Sequence, residues 1–366
     1  MPRRESGFSL VELMTAMTIA SVTGLVVLQV LSTFETRKQT TSGRDDAQVS
    51  ATIGLYALES EIRMAGAGFT TPTGSLCGSG INIAYNGAVI SDGAPLRPIR
   101  INDGGTRPDQ IDILRSNSDF GPAPASVLAL MGGPTAQISV DGDINIAAGD
   151  LLVAGASNGS KLCTLMQASS APVANGTSFF LPHASGTGFP FNPAAPTSVF
   201  TNTVSYDVTD IVVSLGNRGW QRFGIVCSSG TVPSATNSCD LASYNLLATT
   251  APTLANVQSE ASQVIDLQAQ FGVADTGSQV VNAWVDATGG WAAPTEADQR
   301  RIKAIRIALV TRGKREATAV SPASLTLWTA TNGTAVTHSL TADERKYRYQ
   351  VLTVVIPLVN TIWANL

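Results

Sequence analysis

Phe8 to Leu31 is a run of 24 mostly apolar residues, FSLVELMTAMTIASVTGLVVLQVL, and it constrains the fold more than any other feature. As a helix it is long enough to cross a bilayer, which takes about 20 residues. A secretory signal has a shorter apolar core of roughly 7–15 residues followed by an A-x-A-like cleavage site, and no such site follows here. Arg3 and Arg4 precede the run and favour an N-terminus on the cytoplasmic side. Glu12 is the anomaly, because a charge at membrane depth costs about 2.5–3.5 kcal/mol.

The remaining chain is long enough for one large domain or two small ones. Only 14% of the 366 residues of the whole sequence are charged, and 33 Gly and 18 Pro among many Ser, Thr and Asn indicate a turn-rich β body. A net charge of −4 argues against a nucleic-acid partner. The four cysteines, Cys77, Cys163, Cys227 and Cys239, contain no C-x-x-C pair, and His183 and His338 are distant in sequence, which argues against a metal site. In an exported chain an even count suggests two disulfides, with three possible pairings. The polar stretch CSSGTVPSATNSC would be closed by a Cys227–Cys239 bridge, which leaves Cys77 with Cys163. In a cytosolic chain free thiols are the alternative.

The stretch GFSLVELM (Gly7–Met14) resembles the processing site of type IV prepilins: a basic leader, Gly–Phe, a lone Glu and an unbroken apolar run. The resemblance implies cleavage between Gly7 and Phe8 by a prepilin peptidase, and methylation of the new N-terminus at Phe8. It also makes Glu12 an assembly contact. A methylated amine keeps its charge, so a neighbouring subunit's N-terminal ammonium can pair with Glu12 and each ion offsets the other's desolvation.

No proline interrupts Phe8 to about Ala65, so a continuous helix of about 85–90 Å is expected. In its second half Val49, Ile53, Tyr56 and Ile62 recur at near-helical spacing, with Leu55 and Leu58 widening the face, and Gly66 and Gly68 offer a stop. Gly24, Gly43 and Gly54 are either points of bending or sites of close packing. Strands are expected at Gln110–Asn117, in a Gly149–Ser169 hairpin turning at Asn158–Gly159, and in a pair Thr209–Gly216 and Trp220–Cys227. Others are expected at Val264–Asp275, with Ile265, Leu267, Ala269 and Phe271 on one face, at Arg301–Gly313, and at Lys346–Asn360. In the last, Pro357 marks an end or an edge.

RMAGAGF, VIDLQAQFGVAD, IKAIRIALVTRG and YRYQVLTVVIPLVN occur in the order seen in PilW-type minor pilins, which this part of the chain resembles. Loops Gly121–Asp143 and Ser170–Thr203 carry no recognisable pattern. The expected fold is α+β: a leader (1–7), an N-terminal helix (8–66, membrane-spanning over 8–31), and a β-rich antiparallel head (67–366).

Enzyme-like patterns are weak. GASNG places Ser157 in a G-x-S-x-G pattern, but a returning strand follows where the nucleophile elbow needs a helix. DGDIN (Asp141–Asn145) begins like a calcium loop, yet Ile146 and Leu152 stand where Gly and Glu are required. Seven basic residues between Arg300 and Arg315 read as a solvated face, with a weak DNA or anionic-lipid contact as the alternative. The resemblance thus implies a non-enzymatic minor pilin without cofactors. Its partners would be other minor and major pilins, the prepilin peptidase/methylase and, before assembly, the inner membrane. Its head would lie outside the cytoplasm, and later on the pilus surface. The alternatives are a type II secretion pseudopilin and a membrane-anchored surface adhesin or hydrolase; the latter requires a formed pocket with converging polar groups.

Overall fold

The computed structural model describes residues 9–71, 74–116, 124–217, 220–246, 251–329 and 336–360. One helix, Leu10–Met64, runs unbroken for 55 residues, about 82 Å at 1.5 Å per residue. It stops at Ala65, where Gly66 and Gly68 turn with φ of +76° and +92°, values that glycine adopts without strain. The terminal carbonyls find a distant partner: Asn360 Nδ2 donates to Ala65 O at 2.9 Å.

The helix leads a β-rich, chiefly antiparallel head. Its second half lies on a four-stranded sheet of order Val281–Val285, Val264–Ala274, Ile302–Arg315, Tyr347–Pro357. A five-stranded sheet runs Gln258–Ser262, Cys239–Asn245, Trp220–Cys227, Gln110–Leu114, Ile99–Asn102. Helix and both sheets enclose the main core, in which Leu55, Leu58 and Ile62 meet Ile225, Leu241, Leu267, Ile307 and Leu309. Each such side chain contributes on the order of 1.5–3 kcal/mol by leaving water. A six-stranded sheet runs in the order Ala88–Ala94, Ile81–Tyr85, Cys163–Gln167, Leu151–Ala156, Asp210–Gly216, Pro124–Ser126, with a three-stranded sheet (Val173–Asn175, Ser178–Leu181, Ile138–Val140) and two small two-stranded ones beside these. Its Ile81–Tyr85 and Cys163–Gln167 strands pair in parallel.

The seated face of the helix differs from the expected one. Ala47, Ala51, Gly54, Leu55, Leu58 and Ile62 are buried, whereas Val49, Ile53 and Tyr56 are 58%, 52% and 74% exposed. The cause is the closeness of approach. A Cβ on Gly54 would stand 2.9 Å from Ala261 Cβ and 3.0 Å from a Leu309 methyl, so small residues are required where the helix meets the sheet. Of the two readings of the glycines, Gly54 takes close packing; nothing lies within 4 Å of a Cβ on Gly24. Thr311 Oγ1 donates to Ala47 O at 2.8 Å, and Arg115 pairs with Glu61, so the seam is also pinned by polar contacts.

Three strand expectations change in detail. Leu151–Ala156 and Cys163–Gln167 do form a hairpin, but the connection is longer than two residues. Gly159 N–H closes a turn on Ala156 O, and the following residues dock on the segment before Ile81, where Cys163 N–H donates to Gly80 O. Asp210–Gly216 and Trp220–Cys227 are not partners. The first pairs within the six-stranded sheet and the second within the five-stranded sheet, so the chain crosses between sheets there. In Val264–Ala274 a bulge between Val264 and Asp266 turns Val264 into the main core and sends Ile265 to the opposite face, against Leu327. That whole strand is buried on both faces. Tyr347–Pro357 ends at Pro357 and lies at the edge of its sheet, where a residue without an N–H is tolerated.

The disulfides are Cys77–Cys163 and Cys227–Cys239. Cys227 and Cys239 face each other across an antiparallel ladder, while the other bridge joins residues 86 apart inside the second core.

Folding gives His338 a partner that its sequence neighbours do not supply: its Nδ1 lies 2.6 Å from Asp266 Oδ2, tying the small hairpin Ser324–Trp328/Val336–Ser339 to the four-stranded sheet. Burial pulls the imidazole pKa down, but the Asp266 carboxylate, with Glu344 nearby, leaves it raised above 6.5. Burial also pushes Asp109 up to about 7, against the opposing pull of N–H donors from Gly104 and Ala269.

Two outcomes follow from this packing. In detergent-solubilised protein, Gly54→Leu should lower unfolding stability by about 1–3 kcal/mol through overpacking, while Gly24→Leu leaves the denaturant midpoint unchanged. An unshifted midpoint in Gly54→Leu would show that the helix is not seated there. Both raised groups make the folded state hold protons more tightly than the unfolded chain, so stability falls as pH rises. The Asp109 part is lost between 3.8 and about 7, and the His338 part is fully present below 6.5 and lost through its higher folded value. Melting temperature measured from about pH 5 to pH 8 should therefore decline, and His338→Gln should remove the portion above 6.5. An identical decline in that variant would contradict the Asp266–His338 pair.

Candidate functional site

The site begins at the first turn of the helix. Ser9 is the N-cap; its Oγ accepts from Val11 N–H at 3.3 Å, and Glu12 Oε2 accepts from the Ser9 N–H at 3.0 Å. This reciprocal capping box satisfies helix-start donors that lack carbonyl partners. It is a role for Glu12 that the partner-based reading missed, although its signal, Ser-x-x-Glu before an apolar run, stands in SLVE. A carboxylate in the first turn also faces the positive end of the helix dipole. Gly7 and Phe8, the expected cleavage and methylation positions, lie outside the described residues.

Leu10 to Phe34 is long and apolar enough to cross a membrane, and none of it is buried within the protein. Its hydroxyls are turned inward along the helix: Thr18 donates to Met14 O, Ser21 to Met17 O and Thr23 to Ile19 O. Polar groups bonded within the segment can sit in an apolar medium without the penalty of an unmatched donor. Farther along, past a polar stretch, Val49, Ile53 and Tyr56 are exposed on the part of the helix turned away from the head.

Elsewhere the fold disperses the enzyme-like patterns. Ser157 lies in the hairpin connection and donates to Thr209 O at 3.0 Å, with a strand following it. Asp141 accepts from Ser126 N–H at 2.8 Å, a structural use of the calcium-like segment. Among the described residues no cluster of three or more His, Cys, Asp and Glu side chains comes together.

The basic run is not the solvated face expected. Lys303 and Arg312 are buried, and Arg312 donates to Ser234 O at 2.7 Å while stacking over Tyr347. Arg306 sits between Trp284 and Trp328, 4.9 and 4.6 Å from the ring centroids, and bonds Gln270. The strand is covered on both sides as far as Arg312, so Arg306 and Arg312 are held by aromatic rings, Gln270 and carbonyls, while Lys314 and Arg315 at its end stay exposed.

Residues 2–28 match the family described as Prokaryotic N-terminal methylation motif, and residues 234–360 match Type IV Pilus-assembly protein W. No curated protein and no solved structure matches the chain. The first match covers the capped helix start; the second spans the whole four-stranded sheet on which the helix is seated. Both families belong to structural pilus components, and the motif with its apolar helix fits a pilin anchored in the inner membrane. A prepilin start is joined, through one unbroken helix, to a PilW-type sheet: the chain is similar to type IV prepilins at its N-terminus and to PilW-type minor pilins over residues 234–360.

Proposed function

We propose that this chain is a minor pilin that docks into a type IV pilus through its N-terminal helix and helps to prime assembly, with its leader (1–7) removed, its helix (8–66) in the filament core and its head (67–366) displayed. The observation that carries this reading is the division of a single rigid helix into a bare apolar half and a half seated on the head. A bare apolar surface of this length needs lipid before assembly and neighbouring helices after it. Val49, Ile53 and Tyr56, beyond the polar stretch that follows the span, are exposed as well and would meet adjacent minor or major pilins. Before assembly the chain would span the inner membrane once with its head outside the cytoplasm, in keeping with Arg3 and Arg4 ahead of the span and two disulfides in the head.

Glu12 has room for both tasks. Oε2 holds the Ser9 N–H, and Oε1 can meet the N-terminal ammonium of a neighbouring subunit. A subunit at the extreme tip has no neighbour above it to require such a carboxylate, so this chain would sit beneath another subunit, within or next to a tip complex.

Mass spectrometry of the protein from its native membrane should find a chain starting at methylated Phe8; an intact Met1 would end this reading. The two roles of Glu12 separate by substitution. Glu12→Gln keeps an oxygen for the cap but loses the charge, and Glu12→Ala loses both. If docking depends on the ion pair, both variants should insert normally yet enter pili poorly, a defect of about 3–5 kcal/mol for a fully buried pair. Wild-type incorporation of Glu12→Gln would reduce Glu12 to its capping role.

A further inference from the structure

The direction of the helix decides which end of the head faces the membrane. Its lower-numbered residues lie towards the apolar span, and contacts with the sheets mark the level of each strand. At the near end Thr311 Oγ1 donates to Ala47 O, and Ser50 Oγ donates to Ser262 O. At the far end Gly66 N–H donates to Leu114 O, and Asn360 Nδ2 to Ala65 O. Ile302–Arg315 therefore runs towards the membrane, and its antiparallel neighbour Tyr347–Pro357 starts on that side. The disulfide-closed loop 228–238 points the same way, because it lies beyond Asp240, the partner of Ser262.

The distances are short. Phe34 ends the apolar span, and Ala47 follows it by about 20 Å along the helix. Arg315 lies at most about 13 Å beyond Thr311 along its strand. The backbone of Arg315 thus comes within roughly 10 Å of the end of the span, close to a headgroup layer of about 5–8 Å and within a Debye length at 0.1 M salt.

Charge is uneven along this axis. Lys314 and Arg315, the last cations of the basic run, are exposed at the near end. Arg345, Lys346 and Arg348 join them, since Arg315 pairs across the ladder with Tyr347 and Glu316 N–H donates to Lys346 O at 2.7 Å. Three carboxylates share this surface: Glu316, 3.4 Å from Arg348; Asp343, 2.8 Å from Lys346 and 3.6 Å from Arg315; and Glu344. Five cations thus outnumber three carboxylates in a chain whose net charge is −4. The other charged segments on this side are balanced. Helix residues 35–46 hold three cations and three carboxylates, and loop 103–109 exposes Arg107 and Asp103. Loop 228–238 carries no charge, and exposed Val232 and Val320 add apolar groups beside the cations, a pairing suited to a membrane–water interface.

We propose that this basic end of the head rests on the anionic phospholipid headgroups of the membrane that its own helix crosses. The inference depends on the membrane span proposed above. Lys and Arg make charge-assisted hydrogen bonds to phosphate, and each cation near an anionic surface shifts the docked-to-free ratio about fivefold. The helix keeps the head close to the leaflet, so a small excess of cations suffices. The gap above the bilayer is too shallow for a nucleic-acid duplex, whose major groove alone is about 12 Å wide. Contact with the lipid sets the stance of the head before assembly.

The test uses the full chain in nanodiscs of phosphatidylcholine, alone or with about 30% phosphatidylglycerol. A fluorophore on Thr318→Cys, an exposed position in this surface, is exposed to lipid carrying a nitroxide quencher on its headgroup. A separate variant, Ala20→Cys, is paired with an acyl-chain nitroxide and reports the span. Headgroup quenching at position 318 should rise about twofold or more with phosphatidylglycerol, and about 0.5 M NaCl should remove the difference. Lys314→Gln combined with Arg315→Gln should lower the docked-to-free ratio by about tenfold or more. Arg300→Gln, at the far end of the same basic run, should leave it unchanged. Equal quenching in the two lipids would overturn the proposal, and a quenched Ala20→Cys would then leave the span standing. An unquenched Ala20→Cys would overturn both. A lipid preference that survives the double substitution would also overturn the proposal. Binding of a short DNA duplex without any lipid preference would assign the surface to nucleic acid instead.

Discussion

The seam between the helix and the four-stranded sheet is the contact on which the other features rest. Gly54 lets the helix come close to Ala261 and Leu309, Ala47 and Ala51 are buried on the same stretch, and Leu55, Leu58 and Ile62 fill the core. Thr311 and Asn360 hold helix carbonyls at either end of the contact, which sets the register along the sheet. Because the helix is continuous, seating its second half also fixes the direction in which its first half leaves the head. The bare span is therefore a consequence of the seam: a rigid rod held at one end with nothing of its own to cover the other.

The strand Ile302–Arg315 makes this possible. One of its faces meets the helix through Ile305, Ile307 and Leu309; the other meets the small hairpin through Ala308 and Val310. Where the strand is covered on both sides, up to Arg312, there is little solvent for its cations. Arg306 and Arg312 are accordingly packed against Trp284, Trp328 and Tyr347 and bonded to Gln270, Gln263 and carbonyls. Asp112 does the same in the five-stranded sheet, where it accepts from both Arg100 and Arg222. Buried charges of this kind are tolerated only with full partners, which ties sheet to sheet with little room for rearrangement.

The head divides its labour along the chain. The C-terminal sheet holds the helix and carries the family match; the six-stranded sheet, with separate apolar clusters, carries the two disparate loops.

Local pattern alone determined the long helix, its apolar first half, its stop at Gly66, the strands around Leu267, Ile307 and Leu352, and the edge position of Pro357. Each depends on periodicity or on the backbone limits of Gly and Pro, which act within a few residues. Even the capping box was present in SLVE. Tertiary structure decided which helix face is buried, because hydropathy ranks Val49 and Ile53 above Ala51 and Gly54 while close approach favours the small residues. It also decided the side taken by Ile265, since a single-residue bulge reverses the alternation. The engagement of the basic run, the Asp266 partner of His338 and the meeting of two patternless loops around His183 all join residues far apart in sequence. Those contacts depend on distances set by the packing of whole sheets, and no short stretch of sequence encodes them.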